Sequence, residues 1–241
     1  MDISIIIPAF NESHKIALDV HAAAGFIDAH FQSGEVIIVD DGSEDETAMH
    51  AQVSKLPASV TLHIIRYYPN RGKGYAVRSG MMKSSGRVAM FADSGLCIPF
   101  EDALRGMELL KTGQCDLAHG SRRRPNSTIL KKHLRIRRIT STFFQRFIKS
   151  VMQLPTELTD TQCGFKMYRG DVARELYGEA ITDGFQFDVE IILRALHKGY
   201  RIAEFPVEWT ADPDSRLEVG KMPSAILREL LNLKKQLGHL R

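Results

Sequence analysis

The stretch that decides the fold is Val36-Ile37-Ile38-Val39, followed at once by Asp40-Asp41-Gly42-Ser43-Glu44-Asp45-Glu46-Thr47. A short run of β-branched residues bounded by polar and glycine residues predicts a buried parallel strand. Its carboxyl end then brings two adjacent aspartates and a glycine turn to the edge of the sheet, where open α/β sheets bind ligands. Ser43 is expected to cap the helix that follows. Taken alone, the stretch is equally consistent with an ordinary capped turn between a strand and a helix.

Three more strand-like runs end in polar or glycine-rich segments. Residues 3–7 lead into Pro8-Ala9-Phe10-Asn11-Glu12, residues 61–66 lead into the segment 70–80, and residues 88–91 lead into 92–95. A helix-like segment follows each run, so strand and helix alternate four times. This alternation predicts an α/β fold with a mostly parallel, Rossmann-like sheet, flanking helices and right-handed crossover connections.

The second half of the chain continues with strands and helices. We predict a strand at 164–168, helices at 171–177 and 187–197, and a last strand at 201–209. Gly199 is typical of the glycine that ends a helix. An amphipathic helix is expected near the C-terminus, where it packs on the core, on a partner chain or at a membrane.

Composition limits the class of protein. The chain has 241 residues, of which 44% are hydrophobic and 25% charged, as in soluble globular proteins. No apolar run approaches the roughly 18 residues that span a bilayer, and Met1-Asp2-Ile3 leads directly into a strand, so we expect no secretory leader. The three cysteines have no metal-ligand spacing, which disfavours a zinc or disulfide framework. We therefore expect a cytoplasmic protein.

Positive charge is concentrated between residues 122 and 149. This stretch holds ten Lys or Arg residues and no Asp or Glu, so the rest of a chain of net charge +3 carries −7. Such a stretch suits nucleic acid, anionic lipid or a phosphorylated substrate, and a solvated basic helix is the alternative. Because no nucleic-acid motif or aromatic ladder accompanies it, we expect no nucleic-acid partner.

The same stretch has the pattern of an amphipathic helix. Arg135 and Arg138 share one face, while Ile136, Phe143 and Phe147 lie on another. A basic helix with phenylalanines suits the surface of an anionic membrane, whereas packing of the apolar face against the core is the alternative.

The segment Asp160-Thr161-Gln162-Cys163-Gly164-Phe165-Lys166, together with the strand ends above, resembles the family 2 glycosyltransferases of the GT-A fold. The resemblance covers nearly the whole chain and is closest to the dolichyl-phosphate β-glucosyltransferase branch. It implies an inverting transfer of a sugar, a hexose, from a nucleotide-sugar donor to a polyprenyl phosphate, usually with Mg²⁺ or Mn²⁺. A uridine nucleotide is favoured because this branch uses UDP-glucose, while the residues themselves do not specify the base. It also implies one domain over 1–241, with a nucleotide-sugar half at 1–121 and an acceptor half at 122–241.

The resemblance assigns roles to residues at matching positions. The expected nucleotide and cofactor contacts are Pro8, Asn11, Glu12, Asp40, Asp41, Gly42, Arg71, Gly72, Lys73, Asp93 and Ser94. The expected catalytic residues are Asp93, Arg122, Asp160 and Gln162. The expected acceptor contacts are Arg122, Arg135, Arg138, Lys166 and Arg216.

Elementary chemistry agrees with part of this assignment. Carboxylates such as Asp40 and Asp41 suit ribose hydroxyls because they accept paired hydrogen bonds. Glycines at 72 and 74 let the backbone approach a ligand closely, and Lys73 is cationic, although a surface turn with solvated cations has the same composition.

The chain departs from its relatives at the metal motif. They carry Asp-x-Asp after the fourth strand, because two carboxylates and two phosphate oxygens chelate a divalent cation. Here the triplet is Asp93-Ser94-Gly95, which keeps the first carboxylate alone. Since Mg²⁺ often binds through one or two carboxylates plus phosphates, Asp93 remains the expected metal ligand.

Three functions are therefore open. The first is transfer to a polyprenyl phosphate, with the protein peripheral on the inner face of a membrane. The second is transfer to a hydroxyl acceptor, which requires a general base from among Asp160, Asp188 and Glu190. The third, which Gly95 motivates, is a weak or inactive protein that binds the donor. A homo-oligomer is compatible with all three.

Overall fold

The structure, a computed structural model, describes residues 1–53, 55–131, 148–211 and 223–238. Arg135, Arg138 and Arg216 lie outside the described residues, as do Ile136, Phe143 and Phe147 of the predicted amphipathic helix. In the described ranges, no helix has the length and apolar composition that crossing a membrane requires.

The described strands and helices follow the predicted alternation. The strands are β1 Ile3–Ala9, β2 Gly34–Asp41, β3 Val60–Tyr67, β4 Val88–Ala92, β5 Leu117–Ser121, β6 Thr128–Lys131, β7 Phe165–Arg169, β8 Ile202–Pro206 and β9 Glu208–Thr210. The helices are α1 Ile16–His30, α2 Thr47–Ala51, α3 Lys73–Lys83, α4 Ala103–Lys111, α5 Gly170–Gly178, α6 Phe187–His197 and α7 Pro223–Gln236. Gly199, with φ +77°, follows α6 as predicted.

Seven strands form a central sheet in the order β3-β2-β1-β4-β7-β5-β8. Neighbouring strands are parallel except where β7 pairs with β4 and with β5, in both cases antiparallel. The prediction of a mostly parallel α/β sheet is therefore confirmed. Because β7 runs against the others, its amino end lies at the same edge as the carboxyl ends of β1, β2, β4 and β5.

Apolar layers cover both faces of the sheet, which explains why its strands are continuous hydrophobic runs. Ile5 and Ile7 of β1 pack into one layer with Phe26 and Ile27 of α1. Ile6, between them, packs into the other layer with residues of α3 and α5. Each such side chain, once fully buried, contributes roughly 1.5–3 kcal/mol to folding.

The prediction of one strand over 201–209 is wrong in its length. The chain forms β8 and β9, which belong to different sheets, with the buried Val207 between them. β9 pairs in parallel with β6, a strand that the sequence does not indicate. The four residues of β6 lack a hydrophobic alternation, so its extended form depends on a partner strand about eighty residues later in the chain.

The contact between α3 and β1 generates a first prediction. A Cβ at Gly80 would overlap Cγ2 of Ile6 and lie 3.1 Å from a methyl group of Val39. Gly80→Ala should therefore lower the free energy of unfolding, measured in urea, by about 1–3 kcal/mol despite the better helix propensity of alanine. Gly25→Ala in α1 is the matched control, since nothing lies within 4 Å of its Cβ. That variant should gain about 0.5–1 kcal/mol; equal stabilisation by both variants would contradict the close packing at Gly80.

Candidate functional site

The loops after β1 and β2 are joined by side-chain hydrogen bonds. The backbone N–H of Asn11 donates to Oγ of Ser43 at 2.8 Å, and that of Glu12 donates to Oγ1 of Thr47 at 2.8 Å. Oδ1 of Asn11 in turn accepts from the N–H of Glu44 at 2.9 Å. Asn11 adopts φ 51°, a left-handed conformation that asparagine tolerates. Two of the predicted nucleotide contacts, Asn11 and Glu12, thus lie beside the aspartate turn, and Pro8 lies near the carboxyl end of β1, opposite Val39 of β2.

The prediction that Ser43 caps the next helix is wrong. Its hydroxyl accepts from Asn11, and α2 begins only at Thr47, without a side-chain cap. The bond to Asn11 spans thirty-two residues of sequence, so local pattern does not indicate it.

Asp41 shapes the loop after β3. Its carboxylate accepts from the N–H groups of Arg71 and Gly72 at 2.8 and 2.9 Å, and from Nδ2 of Asn70 at 2.9 Å. Three donors therefore converge on one buried carboxylate, which fixes the loop 70–72 against the end of β2. Gly42 allows this approach, because a Cβ there would lie 2.5 Å from the backbone nitrogen of Asn70.

Asp40 is buried beside Asp41 and is also engaged. Its Oδ1 accepts from the N–H of Ser43 at 2.9 Å, and its Oδ2 lies 3.2 Å from Nε of Arg66. Both aspartates thus hold the turn that forms the edge of the site, in addition to any ligand contact.

Residues 182–184 contact the loop 70–74 and help to fix it. Gly72 has φ +101°, and a Cβ there would lie 2.6 Å from the carbonyl oxygen of Asp183. The N–H of Tyr75 donates to the same carbonyl at 3.2 Å. The guanidinium of Arg71 lies 3.5 Å above the ring of Tyr75, so this predicted cation is stacked on an aromatic face.

Lys73 opens α3 and faces the end of β4. Its Nζ lies 2.6 Å from Oδ1 of Asp93. Burial alone would lower the pKa of Lys73, but the carboxylates of Asp93 and Asp188 outweigh it and raise that pKa. Lys73 therefore remains an ammonium ion at the edge of the sheet.

Asp93 is held against the amino end of β7. Its N–H donates to the carbonyl of Gly164 at 2.8 Å. A Cβ at residue 164 would overlap the Asp93 carboxylate, whose three atoms are its nearest neighbours. The glycine in the segment 160–166 is thus required by the position of Asp93.

The turn after Asp93 depends on an aspartate that the sequence analysis missed. Asp19, buried on α1, accepts from the N–H of Gly95 at 2.9 Å and from the N–H of Leu96 at 3.0 Å. Gly95 adopts φ +89° in this turn, and Ser94 lies half-buried between it and Asp93. The available signal was an aspartate on the otherwise apolar face of α1 that contains Ile16 and Val20.

Arg122 and Asp160 form an ion pair with two side-chain hydrogen bonds. The Nε and Nη2 atoms of Arg122 donate to the two carboxylate oxygens of Asp160 at 2.7 and 2.9 Å, and the backbone N–H of Arg122 donates at 3.1 Å. Burial tends to raise the pKa of Asp160, but Arg122 lowers it well below its usual range. Asp160 therefore stays ionised, and its backbone N–H donates to Oε1 of Glu204 at 2.8 Å.

The position of Arg122 connects this pair with Asp93. Burial lowers the pKa of Arg122, whereas the charges of Asp160 and, more weakly, Asp93 raise it well above its ordinary value. Its guanidinium lies 5.4 Å from the ring of Trp209. Asp93 thus acts electrostatically on both Lys73 and Arg122, and burial is the main cause that raises the pKa of Cys163, in the segment after Asp160, to about 12.

Lys166 lies inside the sheet, with no exposed surface. Its Nζ donates to the carbonyl of Thr161 at 2.9 Å and to Oδ1 of Asp188 at 2.5 Å. Burial is the chief cause that raises the pKa of Asp188, although Lys166 and Lys73 oppose it. Lys166 is thus fully buried and already ion-paired. We therefore do not include it among the proposed contacts to the acceptor phosphate.

Gln162 and Glu190, two further residues named from the sequence, are also hydrogen-bonded within the protein. Nε2 of Gln162 donates to Oε1 of Gln186 at 3.3 Å. Glu190, fully buried on α6, accepts from the N–H groups of Ile181 and Thr182 and from Nε of Arg194. Glu190, one of the candidate general bases, therefore holds the backbone at residues 181–182.

Asp93 supplies the one carboxylate among the residues expected to bind a divalent cation. In the described ranges, no group of three or more His, Cys, Asp or Glu side chains is arranged to hold a metal ion. Mg²⁺ nevertheless often binds through a single protein carboxylate plus substrate phosphates. Asp93, with the neighbouring Ser94 hydroxyl, is compatible with such a shared ion.

Comparison with known proteins places the chain among glycosyltransferases. The family model described as glycosyl transferase family 2 matches residues 4–177. The chain is 32% identical over 225 residues to a dolichyl-phosphate beta-glucosyltransferase of Saccharomyces cerevisiae. The match covers 86% of this chain and 66% of the yeast protein. It is 28% identical over 243 residues to the Dictyostelium discoideum protein of the same name, covering 96% and 73%.

Solved structures confirm the expected GT-A fold. Glucosyl-3-phosphoglycerate synthase from Mycobacterium tuberculosis, in complex with Mn²⁺, UDP-glucose and phosphoglyceric acid, matches with a TM-score of 0.73 at 18% identity. The match covers 96% of this chain and 79% of that one. The same enzyme with Mg²⁺ and UDP gives a TM-score of 0.69.

The contact between Gly164 and Asp93 generates a second prediction. Gly164→Ala should lower the free energy of unfolding by about 1–3 kcal/mol, because the added methyl group displaces the Asp93 carboxylate. In an Asp93→Ala background the same change should cost less, since the carboxylate is gone. A double-mutant cycle in urea measures the difference, which should exceed about 1 kcal/mol. Additive effects of the two substitutions would contradict this contact.

The Arg122–Asp160 pair generates a third prediction. Asp160→Asn should cost about 3 kcal/mol of unfolding free energy at pH 7, because it leaves a largely buried guanidinium without its counter-charge. Asp171→Asn is the matched control: its carboxylate pairs with Arg169 at an exposed site, where a loss of at most about 1 kcal/mol is expected.

The same variant has a defined pH dependence. The folded-state pKa of Asp160 lies below its unfolded value, so the carboxylate stabilises the fold above about pH 4 and loses this effect as the pH falls through the folded-state pKa. The difference between wild type and Asp160→Asn should therefore shrink below about pH 4. A difference that grows on acidification would contradict the assignment.

Proposed function

Since the chain belongs to glycosyl transferase family 2, we propose that it transfers a hexose from a UDP-sugar to a polyprenyl phosphate. The relatives named dolichyl-phosphate beta-glucosyltransferase support this acceptor, and the matched structures with UDP support this donor. We assign the donor to the half 1–121 and the acceptor to the half 122–241, within one domain.

The donor side consists of the loops after β1, β2, β3 and β4. The nucleoside contacts we propose are Pro8, Asn11, Glu12, Asp40, Asp41, Gly42, Arg71 and Gly72. These residues meet at one edge of the sheet, since Asn11 bonds to the β2 loop and Asp41 bonds to the β3 loop. Because hydrogen bonds fix the loops before any ligand arrives, little ordering remains to be done on binding.

The leaving diphosphate requires positive charge as its bond to the sugar breaks. Lys73 and Arg122 supply it on this chain, each held by a carboxylate. A divalent Mg²⁺ or Mn²⁺ ion, held by Asp93, Ser94 and the donor phosphates, would add further neutralisation of the diphosphate. Asp160 and Gln162 then serve as positioning residues, with Asp160 fixing the guanidinium of Arg122.

The acceptor assignment depends on one observation: the carboxylates available as a general base are already engaged. Asp160 is bound by Arg122, Asp188 by Lys166, and Glu190 by two backbone N–H groups and Arg194. A hydroxyl acceptor needs such a base to take its proton. A phosphate oxygen carries its negative charge at neutral pH and attacks without one, which favours the polyprenyl phosphate over a hydroxyl acceptor.

The lipid part of the acceptor is assigned from the sequence pattern. The ten cations of residues 122–149 suit an anionic membrane surface, to which we propose the protein attaches peripherally from the cytoplasmic side. Arg135, Arg138 and Arg216 are proposed acceptor contacts in this account. Lys149, at the end of this stretch, donates instead to the carbonyls of Thr156 and Leu158.

Arg122 provides the fourth prediction. Arg122→Ala should lower sugar transfer from UDP-glucose to a short-chain polyprenyl phosphate by about 100-fold or more, because a fixed cation at the diphosphate is lost. Transfer is measured with radiolabelled donor and organic extraction. Arg87→Ala is the matched control: this guanidinium pairs with Asp2 at the opposite edge of the sheet and should leave the rate unchanged.

Three outcomes decide the proposal. Transfer to the polyprenyl phosphate, lost in Arg122→Ala and kept in Arg87→Ala, supports it. Transfer to the corresponding polyprenol at an equal rate would favour the hydroxyl-acceptor enzyme. Absence of transfer from UDP-, GDP-, CDP- and dTDP-sugars, with and without Mn²⁺, would favour a binding protein without catalysis.

A further inference from the structure

The carboxylates Asp19, Asp93 and Asp188 are engaged by donors of the protein itself, which disfavours tight binding of a metal ion by the protein alone. Asp19 accepts from the N–H groups of Gly95 and Leu96, and Asp188 is paired with Lys166. The carboxylate of Asp93 lies 2.6 Å from the ammonium of Lys73. A divalent cation at Asp93 must therefore share that carboxylate with a fixed positive charge.

Gly95 cannot readily become a second carboxylate ligand. It adopts φ +89°, a conformation that an L side chain rarely adopts, and its N–H is committed to Asp19. The turn after β4 therefore offers one carboxylate, that of Asp93, and its backbone is fixed by Asp19 of α1.

We propose that the ammonium of Lys73 binds the diphosphate of the donor directly and supplies much of the charge neutralisation, so that donor binding and transfer persist without a divalent cation. This inference rests on the proposed sugar transfer and concerns the same site. Asp93 then has a second role: it holds Lys73 in place until the diphosphate arrives.

The surroundings of Lys73 fit a diphosphate. The residue is the first of an eleven-residue helix whose amino end favours negative charge. Gly72 and Gly74 precede and follow it and pack closely against the backbone of residues 182–184, which fixes the segment that carries the ammonium. Its side chain is 23% exposed, so part of the side chain is open to solvent.

Rigid positioning distinguishes Lys73 from a flexible surface lysine. Asp41 binds the N–H groups of Arg71 and Gly72 directly before it, and the backbone carbonyl of Asp183 accepts from the N–H of Tyr75, two residues after it. The ammonium is thus placed before the ligand binds, which is the condition for strong electrostatic stabilisation of a developing charge.

The proposed step balances without a metal or a protein base. The acceptor phosphate oxygen forms a bond to the anomeric carbon as the bond from that carbon to the diphosphate oxygen breaks. The electron pair of the broken bond stays on the diphosphate, which gains one negative charge. Lys73 keeps its proton throughout and stabilises that charge as an ammonium ion.

The test compares nucleotide binding with and without metal. Calorimetry on the full chain uses UDP and uridine, each in EDTA and in Mn²⁺, for wild type and Lys73→Met. In EDTA, Lys73→Met should weaken UDP about 10- to 100-fold, as expected for one charge-assisted contact, and leave uridine unchanged. Lys73→Arg should keep metal-free UDP binding, and Lys83→Met, at the exposed end of the same helix, is the matched control.

A second readout is independent of catalysis. Removing the ammonium frees the Asp93 carboxylate, so Lys73→Met should bind Mn²⁺ more tightly than wild type in electron paramagnetic resonance titrations. Mn²⁺ should also restore most of the UDP affinity that Lys73→Met loses in EDTA. Wild-type transfer in EDTA should remain within about 10-fold of its rate with Mn²⁺, since one fixed cation is retained.

The outcomes separate this inference from the function on which it rests. If UDP binds wild type only with Mn²⁺, and Lys73→Met behaves alike, the inference is overturned while sugar transfer stands. If UDP binds wild type under neither condition, both are overturned. Equal weakening of UDP and uridine by Lys73→Met would show a structural role for Lys73 and also overturn the inference.

Discussion

The arrangement of the site depends on the reversed direction of β7. Because this strand runs antiparallel between β4 and β5, its amino end meets the carboxyl end of β4. The N–H of Asp93 then bonds to the carbonyl of Gly164, and the absence of a side chain at Gly164 leaves room for the Asp93 carboxylate. One short contact thus joins a donor-side strand to the segment 160–166, which also carries Asp160 and so positions Arg122. If β7 ran parallel to its neighbours, that segment would enter the sheet from the opposite edge, away from Asp93.

The charges of the site form pairs in which one member positions the other. Asp93 lies against Lys73, Asp160 holds Arg122, and Asp188 neutralises the fully buried Lys166. Ion pairs of this kind contribute little net stability, because taking both charges out of water costs about as much as their attraction returns. Their value is functional: fixed cations lie at the sheet edge where a diphosphate or an acceptor phosphate would bind, and the three candidate bases Asp160, Asp188 and Glu190 are all engaged. The same feature explains why a phosphate suits this site better than a hydroxyl group.

Sequence reasoning identified the strand ends because the relevant signals are local. The β-branched run 36–39 followed by two aspartates specifies a buried strand and its polar end, and α6 was predicted at its observed bounds by periodicity and Gly199. The features that were missed depend on distant partners. Asp19 meets Gly95 across seventy-six residues, Ser43 accepts from Asn11 instead of capping α2, and β6 is extended only because β9 pairs with it. The depth of Lys166 in the sheet also follows from tertiary packing, since a lysine in a strand is compatible with either an exposed or a paired side chain.

The central claim is that an ionised oxygen of the acceptor phosphate attacks the anomeric carbon, and that no protein carboxylate removes a proton from the acceptor. The pH dependence of kcat/KM for the polyprenyl phosphate tests this most directly, because it reports ionisations of the free enzyme and free acceptor. A single ionisation near pH 6, that of the acceptor phosphate, is expected, and it should persist in Asp188→Asn whether or not that variant is slower. An additional ionisation that disappears in Asp188→Asn would identify a general base and contradict attack by the phosphate alone.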